Sequence, residues 1–243
     1  MLLASISILL MFIVRFVLAA QPFKLPFLKA YGKAEAWIQP IREVAKGHPV
    51  VFFRSYQSAS KYWFYSCDTA YSYNTARYRE NQYDIWSIEE QLQGQTVLAM
   101  DPLDHKNNIM VKVGEEMKAV TLLDNFTSYG KINIKRDEKP LVISAGKRAS
   151  VDLIIENPYN YPVKFDTPGF EGKLGYYLYE GGKVVDEKIV MSLASYSIDA
   201  GSNIPLKVEV NYKEPGDFQI LFFIKPGKLP PSFNGRYEKI RFN

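Results

Sequence analysis

From Lys118 to Pro226 the chain is written almost entirely in short strand-like runs, and no other feature restricts the fold as much. KAVTLLDNF (118–126), GKINIKR (130–136), RASVDLIIENP (148–158), YPVKF (161–165), GYYLYEGGKVVDEKIVMSL (175–193), IPLKVEVNY (204–212) and DFQILFFIKP (217–226) are separated by Gly, Pro, Asn and Asp. Runs of this length, rich in Val, Ile, Tyr and Phe and bounded by turn residues, are β-strands. Glu180-Gly181-Gly182-Lys183 is a hairpin signal, because a two-residue turn of this kind needs positive φ at its centre. In 151–156, Val151, Leu153 and Ile155 alternate with Asp152, Ile154 and Glu156. The alternation is imperfect, as expected where a strand is covered on both sides. The spacing predicts an all-β, immunoglobulin-like sandwich over 103–243. It lacks the usual disulfide, since Cys67 is the only cysteine.

Upstream the texture differs. Val50-Val51-Phe52-Phe53 reads as a buried strand, Ser58 to Tyr65 as a helix, Ala70 to Asn74 as a strand, Tyr83 to Leu92 as a helix and Thr96 to Met100 as a strand. Such alternation predicts a small α/β layer with a largely parallel sheet over 48–102. Gly94 sits where a helix C-terminal glycine belongs. Before it, 21–47 reads as an amphipathic helix, with Phe27, Leu28, Tyr31, Ala34, Trp37, Ile38, Ile41 and Val44 at helical spacing and a break or kink at Pro40. It serves either to cover the following sheet or to lie at a membrane surface, with Lys24, Lys29, Lys33 and Trp37 at headgroup level.

The first twenty residues, MLLASISILLMFIVRFVLAA, carry one charge, Arg15. About twenty apolar residues suffice for a membrane span. The expected fold class is therefore an N-terminal transmembrane helix (1–20), then the small α/β layer, then the β-sandwich. A cleaved signal peptide is the rival reading, but the basic residues that should precede its apolar run are missing. Arg15, Lys24, Lys29 and Lys33 follow the run, so the positive-inside rule applied to a lone span would leave the remainder cytoplasmic.

With 47% hydrophobic and 23% charged residues the chain can bury a real core, which excludes a disordered protein. A net charge of +4 without a clustered basic face argues against nucleic acid as a partner. His48 and His105 belong to no metal-ligand pair, and no metal or cofactor is expected. P-loop, GxGxxG and GxSxG motifs are missing, so a free-standing hydrolase has no nucleophile and base to name. Glu89-Glu90, Asp101 with Asp104, and Glu115-Glu116 read as solvated surface.

Residues 52–87, FFRSYQSASKYWFYSCDTAYSYNTARYRENQYDIWS, combine seven tyrosines and two tryptophans with Arg54, Lys61, Arg77 and Arg79. Arg54, Tyr56, Gln57, Lys61, Tyr62, Trp63, Arg77, Arg79 and Tyr83 are the candidate residues near a substrate or lipid. Rings with polar edges and guanidinium forks suit sugar and phosphate, and they also suit a packed core.

Three elements carry a family resemblance: Ser55 to Gln57 with Ala59 to Tyr62; Arg79 with Asn81 to Asp84; and Glu89, Glu90 and Gly94. In their wording, residues 1–100 resemble the C-terminal part of bacterial membrane glycosyltransferases of the protein mannosyltransferase and aminoarabinose transferase type. The resemblance implies a polyprenyl-phosphate sugar donor, upstream membrane helices of the same enzyme, and an inner-membrane location with an extracytoplasmic soluble part. The catalytic acid of those enzymes lies in a loop after their first membrane helix, so no catalytic residue carries over and the chain alone is expected not to transfer sugar. The alternative is a single-pass envelope protein whose β-sandwich binds glycan or a protein partner.

Overall fold

The computed structural model describes residues 2–20, 34–76, 80–101, 108–137 and 140–243. Among them, no helix is long and apolar enough to cross a membrane. Residues Leu2–Ala20 do form a helix, α1, as its apolar run of good helix formers requires. The side chains described within it, 6–16, are exposed. The expected transmembrane anchor over 1–20 is thus corrected to a helix, and the inner-membrane location and extracytoplasmic placement built on that anchor lose their support.

The α/β layer forms, but its sheet is mixed instead of largely parallel. Strands β1 (Val50–Phe53), β2 (Ala70–Tyr73) and β3 (Val97–Met100) run parallel in the order β2-β1-β3. β5 (Glu116–Leu123) then adds antiparallel to β3, and β4 (Ile109–Val113) antiparallel to β5. The KAVTLLDNF run therefore completes the first sheet, which crosses the boundary expected near residue 103. A hairpin can extend a parallel sheet without the long crossover that another parallel strand would need.

Helix α2 (Ala34–Ala45) runs through Pro40, which lies inside it. It buries Ile38, Ile41 and Ala45 in the first core, so it covers the sheet. Trp37 stacks on Phe52 at 6.0 Å between ring centres, and Lys61 of α3 (Tyr56–Ser66) lies 5.1 Å over the same indole. Trp37 is consequently a packing residue. Lys24, Lys29 and Lys33 lie outside the described residues. On the other face of the sheet, Tyr71 meets Tyr83 of the short helix α4 (Gln82–Ile85), which is followed by α5 (Ile88–Leu92).

Two facing sheets form the second half. One is β6 (Asn133–Arg136), β8 (Ala149–Glu156) and β13 (Asn203–Val210), in the order β13-β8-β6. The other is β7 (Leu141–Ile143), β10 (Gly172–Glu180), β11 (Lys183–Ser192), β14 (Gly216–Pro226) and β15 (Glu238–Phe242), in the order β11-β10-β14-β15-β7. A short pair, β9 (Val163–Lys164) with β12 (Ser197–Ile198), closes one end. Within the second of these sheets β7 joins β15 parallel, so that sheet too is mixed. The protein as a whole is mostly β, in several mixed sheets.

Burial explains the uneven alternation. β8 alternates strictly, with Ile154 on its outer side 44% exposed, whereas β10 and β14 are buried on both faces. Inward, Leu174, Tyr176, Leu178, Ile220 and Phe222 meet the facing sheet. Outward, Tyr177, Tyr179, Leu221 and Phe223 pack with Ala76 of the α/β layer. Gly175 is required there, since a Cβ would lie 2.6 Å from the Phe223 ring and 2.5 Å from the Lys188 carbonyl. The hairpin expected at 180–183 forms, with Gly181 and Gly182 at φ 54 and 78.

Candidate functional site

The stretch expected to present one aromatic and basic surface is divided by the sheet it builds. Tyr62 and Tyr83 go into the core. Tyr62 donates its hydroxyl to Asp68, and burial, reinforced by that carboxylate, pushes its pKa up to about 12. Tyr56 is half-buried against the same core. Lys61 is engaged by Trp37. Arg54 and Gln57 are exposed where β1 passes into α3, Arg54 with φ 53 and its amide donating to the Tyr73 carbonyl. Ser55 caps α3, its Oγ accepting from the Ser58 amide, as an N-cap serine should. Trp63 alone of the nine stays outward as a ring, edge-on to Trp86 at 6.0 Å. Arg77 and Arg79 lie outside the described residues. The described members of the set do not share one pocket.

The acidic residues also sort differently from the sequence reading. Glu115 and Glu116 are exposed as expected, but Glu89 is buried to 1% exposure. Its carboxylate accepts from Ser128 Oγ at 2.6 Å and from the Gly130 amide at 2.7 Å, tying α5 to the segment that enters the second half. Burial raises its pKa against these donors. Glu90 is ion-paired with Lys131. Gly130 must be glycine, because a Cβ would meet Glu89 Oε1 at 2.9 Å. This cluster joins the two halves. Among the described residues no three His, Cys, Asp or Glu side chains are grouped to hold a metal ion.

A second polar cluster shapes the loop after β2. Asp84 accepts from the Asn81 amide at 2.7 Å and from the Asn74 side-chain amide, and Asn81 Nδ2 donates to Asn74 Oδ1. Burial raises the pKa of Asp84, and the two donors hold it down. Glu80, the residue before Asn81, lines the edge of an open groove of about 1460 Å³.

This groove lies on the outer face of the five-stranded sheet. Its floor follows from the register: Gln219 of β14 pairs with Tyr179 of β10 and Lys239 of β15, and Asp217 pairs with Arg241, which pairs with Val142 of β7. Strand residues in register share a face. Its wall is the segment 233–237, held close to the sheet because Gly235 has no Cβ to meet the Phe222 carbonyl at 2.9 Å. Asn234 fastens that wall: Oδ1 accepts from the Ile224 amide at 2.7 Å, while Nδ2 donates to the Tyr129 and Ile132 carbonyls at 2.6 and 2.9 Å. Tyr73 donates to the Pro230 carbonyl at 2.9 Å, and the Ala76 amide to the Pro231 carbonyl at 2.8 Å, so the α/β layer braces the wall from behind. Its Tyr237 ring lies 5.1 Å from Tyr179 and 6.1 Å from Phe233. Tyr237 remains 46% exposed. The strand runs read from the sequence end at Pro226, so this wall and β15 have no counterpart among them. The alternation of Lys239, Ile240, Arg241 and Phe242 was the available signal.

No protein-family model matches the chain, and no curated protein matches it. Solved structures with a partial likeness include the Pseudomonas fluorescens alkylpurine DNA glycosylase AlkC bound to DNA, at 13% identity and TM-score 0.33 over 48% of this chain and 31% of that one. Others are the CARDB domain of PF1109 from Pyrococcus furiosus, at 14% identity and TM-score 0.29 over 46% of this chain and 92% of that one, and red sea bream transglutaminase, at 10% identity and TM-score 0.30 over 55% and 17%. The chain thus spans under a third of the glycosylase's length. Likenesses this weak carry no argument about fold or activity.

Proposed function

We propose that the chain is a noncatalytic recognition module that binds a glycan in the groove on its outer sheet face. The observation that carries this reading is the floor and wall together: the exposed Tyr237 ring, backed by Tyr179 and Phe233, beside Gln219, Lys239 and Asn133 in one open trough. Apolar ring faces take the C–H face of a sugar, and amide and ammonium donors take its hydroxyls. The volume supports a chain-like ligand, since small-molecule clefts run to about 1,000 Å³. Two of its three carboxylates, Asp217 and Glu238, are held in ion pairs by Arg241 and Arg136, which suits a binding floor better than an acid–base pair.

The test is retention of the full-length chain on a panel of immobilised oligosaccharides, with Tyr237→Ala and Trp63→Ala compared at equal folded fraction. Retention that Tyr237→Ala abolishes and Trp63→Ala leaves intact is the expected result. Retention lost with Trp63 and kept without the Tyr237 ring places recognition on α3 and α4 and overturns the proposal.

A further inference from the structure

We infer that the ligand of this groove is an acidic saccharide, carrying carboxylate or phosphate groups along its chain; the inference rests on the glycan-binding reading above. Five cationic side chains line the groove: Lys135, Arg136, Arg236, Lys239 and Arg241. Three of them are committed. Arg241 forms a two-pronged pair with Asp217 at 2.6 and 3.0 Å, Arg136 pairs with Glu238, and Lys135 reaches out of the groove to Glu156 at 2.7 Å. Arg236 and Lys239 are exposed and hold no ion pair with the described residues.

These two cations flank the ring best placed to stack. Arg236 precedes Tyr237 directly, and Lys239 follows it by two residues on the same strand end. The register sets Lys239 beside Gln219 on the groove floor. All three line the same groove, so a saccharide lying along it meets a guanidinium and an ammonium as well as the ring. Arg forks match planar oxyanions and Lys supplies a mobile point charge, and both bond ionised oxygens more strongly than neutral hydroxyls. Glu80, on the wall contributed by the α/β layer, is the lining carboxylate outside these ion pairs and marks the side that an acidic group avoids. An acidic peptide would satisfy the cations but leave the ring faces without a flat partner, so the saccharide is favoured.

The experiment is titration calorimetry of the full-length chain with an oligogalacturonide, a neutral malto-oligosaccharide of equal length and oligoglutamate, at low and high salt. It is run on the natural sequence and on the double variant Arg236→Gln, Lys239→Gln, both positions being exposed. The expected result is binding of the galacturonide about tenfold or more tighter than the neutral sugar, the difference made by roughly one charge-assisted hydrogen bond. High salt and the double variant should each remove that advantage, weakening the galacturonide more than the neutral sugar. Equal affinity for acidic and neutral sugars, or an advantage that survives the double variant, overturns the acidic assignment and leaves the groove reading standing. Oligoglutamate bound as tightly as the galacturonide overturns it in favour of bare charge recognition. Binding of neither sugar overturns the groove reading itself.

Discussion

Replacing Asn234 by Ala should cost the protein about 3 kcal/mol of stability, a value that follows from counting what the side chain satisfies. Asn234 is buried, and its three hydrogen bonds go to backbone groups on two segments, Ile224 of β14 and the turn that holds Tyr129 and Ile132. The Tyr129 carbonyl keeps a second partner when Asn234 is lost, because it also accepts from the Ile132 amide at 3.2 Å. The Ile224 amide and the Ile132 carbonyl lose their side-chain partner. A buried polar group left unsatisfied costs roughly 1–3 kcal/mol, so two such groups dominate the loss. Asn234→Asp should be no milder, since a carboxylate still accepts from the Ile224 amide but offers nothing to the two carbonyls. Urea unfolding of the full-length chain measures the difference from the shift in midpoint at constant slope. A loss below about 1 kcal/mol for Asn234→Ala would refute the reasoning, because it would mean that the wall of the groove is not held by this side chain.

Three further outcomes are expected. Glu89→Gln should gain stability relative to the natural protein as pH rises. Burial raises the folded-state pKa of Glu89 above its unfolded value, so the native carboxyl contributes most below the unfolded pKa and loses that contribution as pH climbs through the folded one. Urea midpoints for both proteins, taken from about pH 4 to neutral, should diverge in this direction, and a constant or reversed difference contradicts the assignment. Gly175→Ala should destabilise by about 2 kcal/mol or more through the clash with Phe223 and the Lys188 carbonyl, and a thermal melt within a degree or so of the natural protein would show that the site relaxes freely. Tyr73→Phe removes the bonds to the Pro230 carbonyl and Ser232, with an expected loss of about 1 kcal/mol and faster amide exchange in 230–235; unchanged exchange there would mean that the α/β layer does not brace the wall.

Much of the secondary structure was legible because it rests on local signals. The hairpin at 180–183 needs two residues at positive φ and has two glycines, and α3 starts at a serine cap. Sheet membership was not legible. β5 has the composition of a sandwich strand, and only its pairing with β3 assigns it to the first sheet. The α1 run reads as a span from hydropathy, a property of composition that does not report what the folded chain does with it. The chemistry of the candidate residues of 54–83 does not say which way each faces, and tertiary packing separates the described ones: Tyr62 and Tyr83 fill the core while Trp63 faces out. Glu89 was assigned to the surface on the general exposure of carboxylates, which its donors from Ser128 and Gly130 override. The groove could not be read from any one stretch, since Glu80, Tyr179, Gln219 and Tyr237 come together only after two sheets and a loop are in place.

Amide hydrogen exchange of the full-length chain, with and without a saturating oligosaccharide retained in the panel, tests the groove most directly. The account predicts added protection in 233–241 and in 133–136, with none in β13 on the far edge of the opposite sheet. Protection confined to α3 and α4, or spread evenly over both halves, would contradict it.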